Sequence, residues 1–369
     1  MTDTVEVLQQ EIQEAAANDA TLSSLGSLVG IRPLEVNKRS FSTVRRFALA
    51  FEERELDVCL KIHRRSNRGF EQECVAWANE EYCVLKSLHT RAGDGSELSV
   101  VRPILFLPKL PGILMETHAG EILNDRLRRV RFGKNSESWE ELGRCFYDVG
   151  RNLKEMQRLS TEDPEVRGAF SLVRWVLDAE YVTDEADRGS ASAVSFLKSS
   201  RRSAAERAYA ESRAQFLATL REGYPTVAVH GDFTPVNVFA RGERVTLFDF
   251  VNVHHGHPYE DVSRFLCYTY FLQKDPLSYG VSRVHRLMVD FMSGYGLEGW
   301  RDDAALRFFF QKNMFRTLGG GLRFQARRWP MRSLYRYLML RVYRRWVDDG
   351  MGLNVIAAGV PARTERIGL

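Results

Sequence analysis

The spacing of apolar residues changes character near Gly120. That change limits the chain to folds in which a strand-rich part precedes a helix-rich one. "FSTVRRFALAF" and "ELDVCLKIH" hold near-alternating apolar residues on either side of the charged "EERE", which predicts a hairpin turning at the charge cluster. "FEQECVAWANEEYCVLKSLHT" (70–90) is periodic at helical spacing, and "SVVRPILFLP" and "GILMETHAG" predict two strands across a turn from Pro108 to Gly112. After Gly120 helical patterns cover 138–158, 190–222, 259–273, 281–296 and 303–347, interrupted by a strand pair around 227–250. The first twenty-five residues read as a polar helix ending near Gly26. The expected fold is α+β: an N-terminal helix (1–28), a small β-rich lobe (29–117) and a mainly helical lobe (118–369). No repeat and no Pro/Gly/Ser-rich spacer separates the lobes, which suggests a packed hinge over which a ligand could lie.

Composition narrows the class. With 369 residues, 27% charged and 44% hydrophobic, the chain is globular and large enough for two cores. Its five cysteines are odd in number and form no CxxC pair, so they read as buried thiols of a reducing compartment. The N-terminus has neither a basic segment nor an apolar core, which argues against a signal peptide. No run of 18 apolar residues occurs, so no membrane span is expected and the expected location is cytoplasmic. The net charge of +4 favours anionic ligands only weakly.

"HGDFTPVN" (230–237) precedes the apolar run "VTLFDF", placing Asp232, Asn237 and Asp249 around two strand-like segments. "VNVFARGERVTLFDF" reads as a hairpin turning at Gly242, which could bring the three together. Hard oxygen ligands suit Mg²⁺, and phosphoryl transfer needs a carboxylate to orient the attacking hydroxyl. Spacing alone weighs this evenly against a turn-initiating Asp232, a capping Asn237 and a chance Asp249. Lys61, between apolar neighbours in "VCLKIH", suits a phosphate bridge, but an edge-strand lysine that discourages aggregation would look the same. Glu81 could hold Lys61 in place, and Glu80 is the neighbouring candidate.

Together these segments resemble the aminoglycoside phosphotransferase and choline kinase superfamily, small-molecule kinases with a protein-kinase-like two-lobed fold. "HGDFTPVN…LFDF" is similar to its catalytic loop and metal site, "KRSFSTVRRFAL" to its nucleotide loop, and "VCLKIH" to its phosphate-binding lysine strand. "EYCVLKSL" resembles the helix whose glutamate pairs with that lysine, and "PGILMETHAG" the strand entering the interlobe linker. "GHPYEDVSRFL" resembles the G-x-P-x-x-D stretch, here Gly256, Pro258 and Asp261. The resemblance implies ATP and Mg²⁺ as cofactors, with Asp232 as catalytic base and Asn237 and Asp249 as metal ligands. It implies further that Lys61 contacts the phosphates, that Glu81 orients it, and that backbone groups of Glu116, Thr117 and His118 meet the adenine. His230 and Asp261 would support the loop. The nucleotide loop has no glycine between Lys38 and Phe51, so the hydroxyls of Ser40 and Ser42 and backbone amides would serve there.

"HHGH" (254–257) lacks partners at zinc-ligand spacing and reads as structural. Residues 321–346 hold eight arginines, six aromatics and no acid. As a helix from Met331 they place Met331, Leu334, Leu338 and Val342 on one face with Arg332, Arg336 and Arg344 opposite. That helix either packs with a solvated basic side or makes a peripheral contact with an anionic membrane surface, at the inner face of the membrane. No nucleic-acid partner is expected, since no nucleic-acid-binding fold accompanies the patch. The expected activity is transfer of the ATP γ-phosphate to a hydroxyl of a small molecule, a sugar or cell-envelope glycan foremost. An aminoglycoside-type antibiotic kinase is the alternative. A pseudokinase or membrane-surface scaffold is the alternative of another class.

Overall fold

The computed structural model describes residues 2–16, 24, 26–38, 42–64, 71–92, 97–130, 136–173, 176–220, 223–275, 279–320 and 332–353. They form an α+β fold of two compact units, one drawn from 1–120, 159–174 and 246–253, the other from 121–158, 175–245 and 254–369.

The first unit is built on an antiparallel five-stranded sheet. Its strands are β1 (Leu28–Lys38), β2 (Ser42–Phe51), β3 (Glu55–His63), β4 (Pro103–Leu107) and β5 (Gly112–Glu116), in the order β1-β2-β3-β5-β4. The β2–β3 hairpin closes at the expected charge cluster, where Phe51 N–H donates to the Arg54 carbonyl (2.9 Å), and its register runs from Ala50 opposite Glu55 to Ser42 opposite His63. Alternation sends Phe47, Leu49 and Phe51 inward to meet Val58, Leu60, Leu107 and Leu114. Helix α1 (Thr2–Ala16) adds Leu8 and Ile12 to that core. The helix expected to end near Gly26 is described to Ala16, and residues 17–23 and 25 lie outside the described residues. Helix α2 (Glu71–Ala92) follows the strands.

Strand β1 is absent from the sequence-based reading, and Pro33 and Gly30 explain why: both argue against a strand interior. The sheet accommodates them at its edge, with register shifts between Leu28 and Gly30 and between Pro33 and Glu35.

The second unit is mainly helical: α3 (Leu123–Val130), most of α4 (Ser136–Glu162), α6 (Ala179–Val194), α7 (Ser199–Thr219), α8 (Tyr259–Tyr270), α9 (Val281–Tyr295), α10 (Ala304–Gly320) and α11 (Arg332–Asp348). The short α5 (Pro164–Phe170) belongs to the first unit. Two short sheets interrupt the helices, β7 (Val227–Val229) with β10 (His254–Gly256), and β6 (Glu121–Ile122) with β8 (Val238–Arg241) and β9 (Arg244–Leu247). The β8–β9 hairpin turns at Gly242, whose φ of 60° suits glycine.

Two helical spans read as continuous are divided. Residues 190–222 split between α6 and α7 in a serine-rich stretch, where Ser195 Oγ donates to the Ser192 carbonyl (2.6 Å) in place of continuing the helix. Residues 303–347 give α10 and α11, with 321–331 outside the described residues. The buried face of α11 is Tyr335, Met339, Val342, Tyr343, Trp346 and Val347; of the expected stripe Val342 is buried, Leu338 is partly buried, Leu334 is 41% exposed and Met331 lies outside the described residues. Aromatic residues outweigh leucines in choosing the inward face, because each buries more apolar area. All five cysteines are free thiols; Cys74, Cys145 and Cys267 are buried as expected, whereas Cys59 and Cys83 are partly exposed. Among the described residues no helix is long and apolar enough to cross a membrane.

Within the second unit α4 and α9 touch backbone to backbone. A Cβ added at Gly294 would collide with the Tyr147 carbonyl, and one at Gly150 with the Phe291 carbonyl. No side chain can relax away from such a clash, so Gly294→Ala should destabilise the protein by about 1–3 kcal/mol, the range for overpacking. Urea denaturation measures this; an unchanged midpoint would mean that the two helices do not cross at these glycines.

Candidate active site

Lys61 lies on β3, between β2 and β5, so it is an interior residue and the edge-strand reading fails. Its side chain is buried, and a buried ammonium must be paired. Nζ donates to both oxygens of Glu81 on α2 (2.7 and 2.8 Å) and to Asp249 Oδ1. Burial alone would lower the lysine pKa, but Glu81 and Asp249 outweigh it and leave it raised. Glu81 is buried too, and Lys61, with His63 beside it, holds its carboxyl well below the ordinary range against that burial. The same carboxylate accepts from Phe250 N–H (2.9 Å) and lies 3.0 Å from His63 Nε2. Glu81, not its neighbour Glu80, is therefore the node. His63 was not singled out in the sequence, although it sits two residues along β3 from Lys61 and so on the same sheet face.

Asp249 adopts φ 68°, ψ 60°, the left-handed region that aspartate tolerates better than most residues. That backbone lets Asp249 reach Lys61 while the next N–H meets Glu81. Ser42 is buried at the start of β2, and Ser40 lies outside the described residues. Glu116 N–H donates to the Arg102 carbonyl and Thr117 N–H to the Asp57 carbonyl, each at 3.0 Å, and Gly120 N–H donates to His118 Nδ1 (2.9 Å). The buried hydroxyls of Thr43 and Thr117 have no described partner.

In the second unit the loop His230–Asn237 leaves β7 and is tied to α8 through one carboxylate. Buried Asp261 accepts from His230 N–H (2.6 Å) and Gly231 N–H (3.0 Å), and Gly231 has φ 76°. Burial still pushes the Asp261 carboxyl pKa up. Phe233, fully buried, anchors the loop from within against Phe265, ring centroids 5.5 Å apart. Asn237 Nδ2 donates to Asp232 O (2.9 Å) and Asp232 Oδ2 (3.1 Å), so the oxygen of the amide is the atom left for a ligand. Asp232 Oδ1 forms an ion pair with Arg264 of α8. Arg264 went unnoticed in the sequence, though it lies one helical turn beyond Asp261.

Two histidines of "HHGH" make contacts within the second unit. His254 Nε2 lies 3.5 Å from Glu260 Oε2, and the His257 ring stacks on Phe309 (4.6 Å) with burial pushing its pKa down to about 4. Among the described residues no group of three or more His, Cys, Asp or Glu is arranged to hold a metal ion. The amide oxygen of Asn237 and the carboxylate of Asp249 are each, taken singly, a hard ligand of the type Mg²⁺ takes.

The model of the phosphotransferase enzyme family (APH) matches residues 43–308. No curated protein sequence matches the chain. Among solved structures, the amicoumacin kinase hAmiN in complex with AMP-PNP, Ca²⁺ and Ami is similar over 92% of this chain and 97% of its own, at 16% identity and a TM-score of 0.50. The GDP and kanamycin complex of APH(2")-IIia covers 92% of this chain and 98% of its own, at 13% identity and 0.50. A choline kinase from Cryptosporidium parvum Iowa II covers 92% and 96%, at 11% identity and 0.50. At these identities the likeness establishes the fold, that of the small-molecule relatives of protein kinases.

Removing the Lys61 cation leaves Glu81 buried and short of its main partner. Lys61→Met should therefore cost about 3–5 kcal/mol of stability, against less than about 0.5 for an exposed lysine. Lys61→Met/Glu81→Gln should recover part of that loss. Denaturant titration of the three proteins checks it; a Lys61→Met protein as stable as wild type would show that the pair is not buried.

Proposed function

Because the chain belongs to the phosphotransferase enzyme family, we propose that it transfers the γ-phosphate of ATP, with Mg²⁺, to a hydroxyl of a small-molecule acceptor. The observation that carries this reading is the buried Lys61 cation, clamped by Glu81 and touching Asp249. A scaffold has no need of a charge so expensive to bury, and this argues against a pseudokinase.

In the proposed reaction the acceptor oxygen bonds to the γ-phosphorus as the bond to the β–γ bridging oxygen breaks. The electron pair leaves with ADP, and the hydroxyl proton passes to Asp232. Asn237 holds Asp232 through Nδ2, and Asp261 fixes the two backbone N–H groups before it. Lys61 neutralises phosphate oxygens, and Glu81 keeps it extended toward them. Asn237 and Asp249 would hold Mg²⁺, whose charge offsets that on the β and γ oxygens. The N–H groups of Glu116 and Thr117 are spent within the first unit, so the adenine contacts of 116–118 would fall to their carbonyls and to the backbone of His118. The division into nucleotide binding by 29–117 and acceptor binding by 118–369 is part of this proposal.

A sugar or cell-envelope glycan is favoured as acceptor over an aminoglycoside, because the basic 321–346 stretch suits a neutral or anionic molecule better than a polycation. Peripheral contact with an anionic membrane is supported by α11, which exposes Tyr337 (58%) and Leu334 beside Arg336 and Arg341.

Labelled ATP presented with sugars, lipid-linked sugars, choline-like amines and aminoglycosides tests the reading. With an accepted acceptor, Asp232→Asn should lower turnover by about 10²–10⁴-fold and leave ATP affinity nearly unchanged. Retention of more than about a tenth of wild-type turnover would remove Asp232 as the base.

A further inference from the structure

Asp232 does not stand alone: the guanidinium groups of Arg264 on α8 and Arg316 on α10 act on it, and charged side chains of α6, α8 and α10 meet beside Arg316. Arg264 of α8 is its ion-pair partner. On α10, Lys312 and Arg316 are one turn apart and share a face with opposite fates. Lys312 is buried and satisfied, 2.8 Å from Glu185 Oε2 of α6 and 3.7 Å from Glu260 Oε2 of α8. Arg316 is 55% exposed in its side chain and, among the described residues, has one loose ion contact, 3.8 Å from Glu185 Oε1. A guanidinium offers five donors, so Arg316 is a cation with most of its hydrogen-bonding capacity unspent. Its electrostatic surroundings tie it to the same place: desolvation and then repulsion from Arg264 lower its pKa, while Glu185, Asp232 and Tyr181 oppose them.

The acids of the cluster are already committed. Glu185 and Glu260 serve Lys312, and Asp232 is taken by Arg264. An ammonium-bearing acceptor would find no uncommitted carboxylate in this cluster among the described residues and would face two guanidinium groups. A carboxylate or phosphate would find donors in the fork geometry that suits it. We propose that the acceptor carries an anionic oxygen group, a carboxylate or a phosphate, and that Arg316 together with Arg264 binds it, setting the acceptor hydroxyl against Asp232. Resting on the kinase reading for the role of Asp232, this assigns Arg316 to specificity. It also gives Arg264 a second partner, so that an arriving anion shares the guanidinium that otherwise occupies Asp232 Oδ1.

The test has a readout that needs no turnover. Phenylglyoxal labelling of Arg316 in the full-length protein, followed by peptide mass spectrometry, is compared with glucose, glucuronate, glucose 1-phosphate or glucosamine present. The two anions should slow labelling severalfold and the other two should not; glucuronate and glucose 1-phosphate as separate arms distinguish carboxylate from phosphate. Equal labelling in all four arms, or protection by glucosamine, would overturn the assignment. Arg316→Met should then lower kcat/KM for the anionic acceptor by about tenfold, the effect of one charged hydrogen bond, with little change for glucose. A variant that keeps the anion preference would also overturn it. Protection of Arg316 by anions with no transfer from ATP to any acceptor would retain the anion site and sink the kinase reading instead.

Discussion

Burying Lys61 is the constraint on which the first unit's chemistry depends. An ammonium inside a sheet is tolerated only if its charge is met at close range, and Glu81 meets it with both oxygens. Glu81 is then itself a buried charge, and its remaining capacity is spent on Phe250 N–H and His63. One ion pair thus ties β3, α2 and the segment after β9 together. It also fixes the backbone beside Asp249, so the carboxylate proposed for the metal is held by the same interaction that holds the cation proposed for the phosphates.

The second unit solves its own problem with one carboxylate of the opposite kind. Asp261 collects two backbone N–H groups and thereby shapes the loop that carries Asp232. Buried acceptors of backbone N–H groups cost little when satisfied and much when one donor is lost. The loop is accordingly tied by two hydrogen bonds where it leaves β7. Asp232 is trimmed on both oxygens, by Asn237 on one and Arg264 on the other.

The sequence made parts of this legible for physical reasons. Lys61 stands out because a cation in an apolar strand is costly, and Asp232, Asn237 and Asp249 because their types match one chemistry. The β2–β3 hairpin shows itself through alternation and a charged turn. Strand β1 does not, since Pro33 and Gly30 mask a strand that an edge position tolerates. The face of α11 was misjudged because Leu334/Leu338 and Tyr335/Met339 form two apolar stripes one residue apart, and only tertiary packing chooses between them. His63, Arg264 and Arg316 carried no mark of their own, because their significance lies in which side chain the fold sets opposite them.

The central claim is that Asp249, held by Lys61 and backed by Glu81, belongs to a Mg²⁺-nucleotide site. Calorimetric titration with ATP, with and without Mg²⁺, on wild type and Asp249→Asn tests it most directly, since asparagine also tolerates the left-handed backbone at this position. Wild type should bind ATP more tightly with Mg²⁺. Asp249→Asn should lose that gain, weakening Mg²⁺-ATP binding by at least about tenfold, as loss of a metal-site group does, with its thermal stability largely kept. An Asp249→Asn protein that binds Mg²⁺-ATP as wild type does would contradict the account.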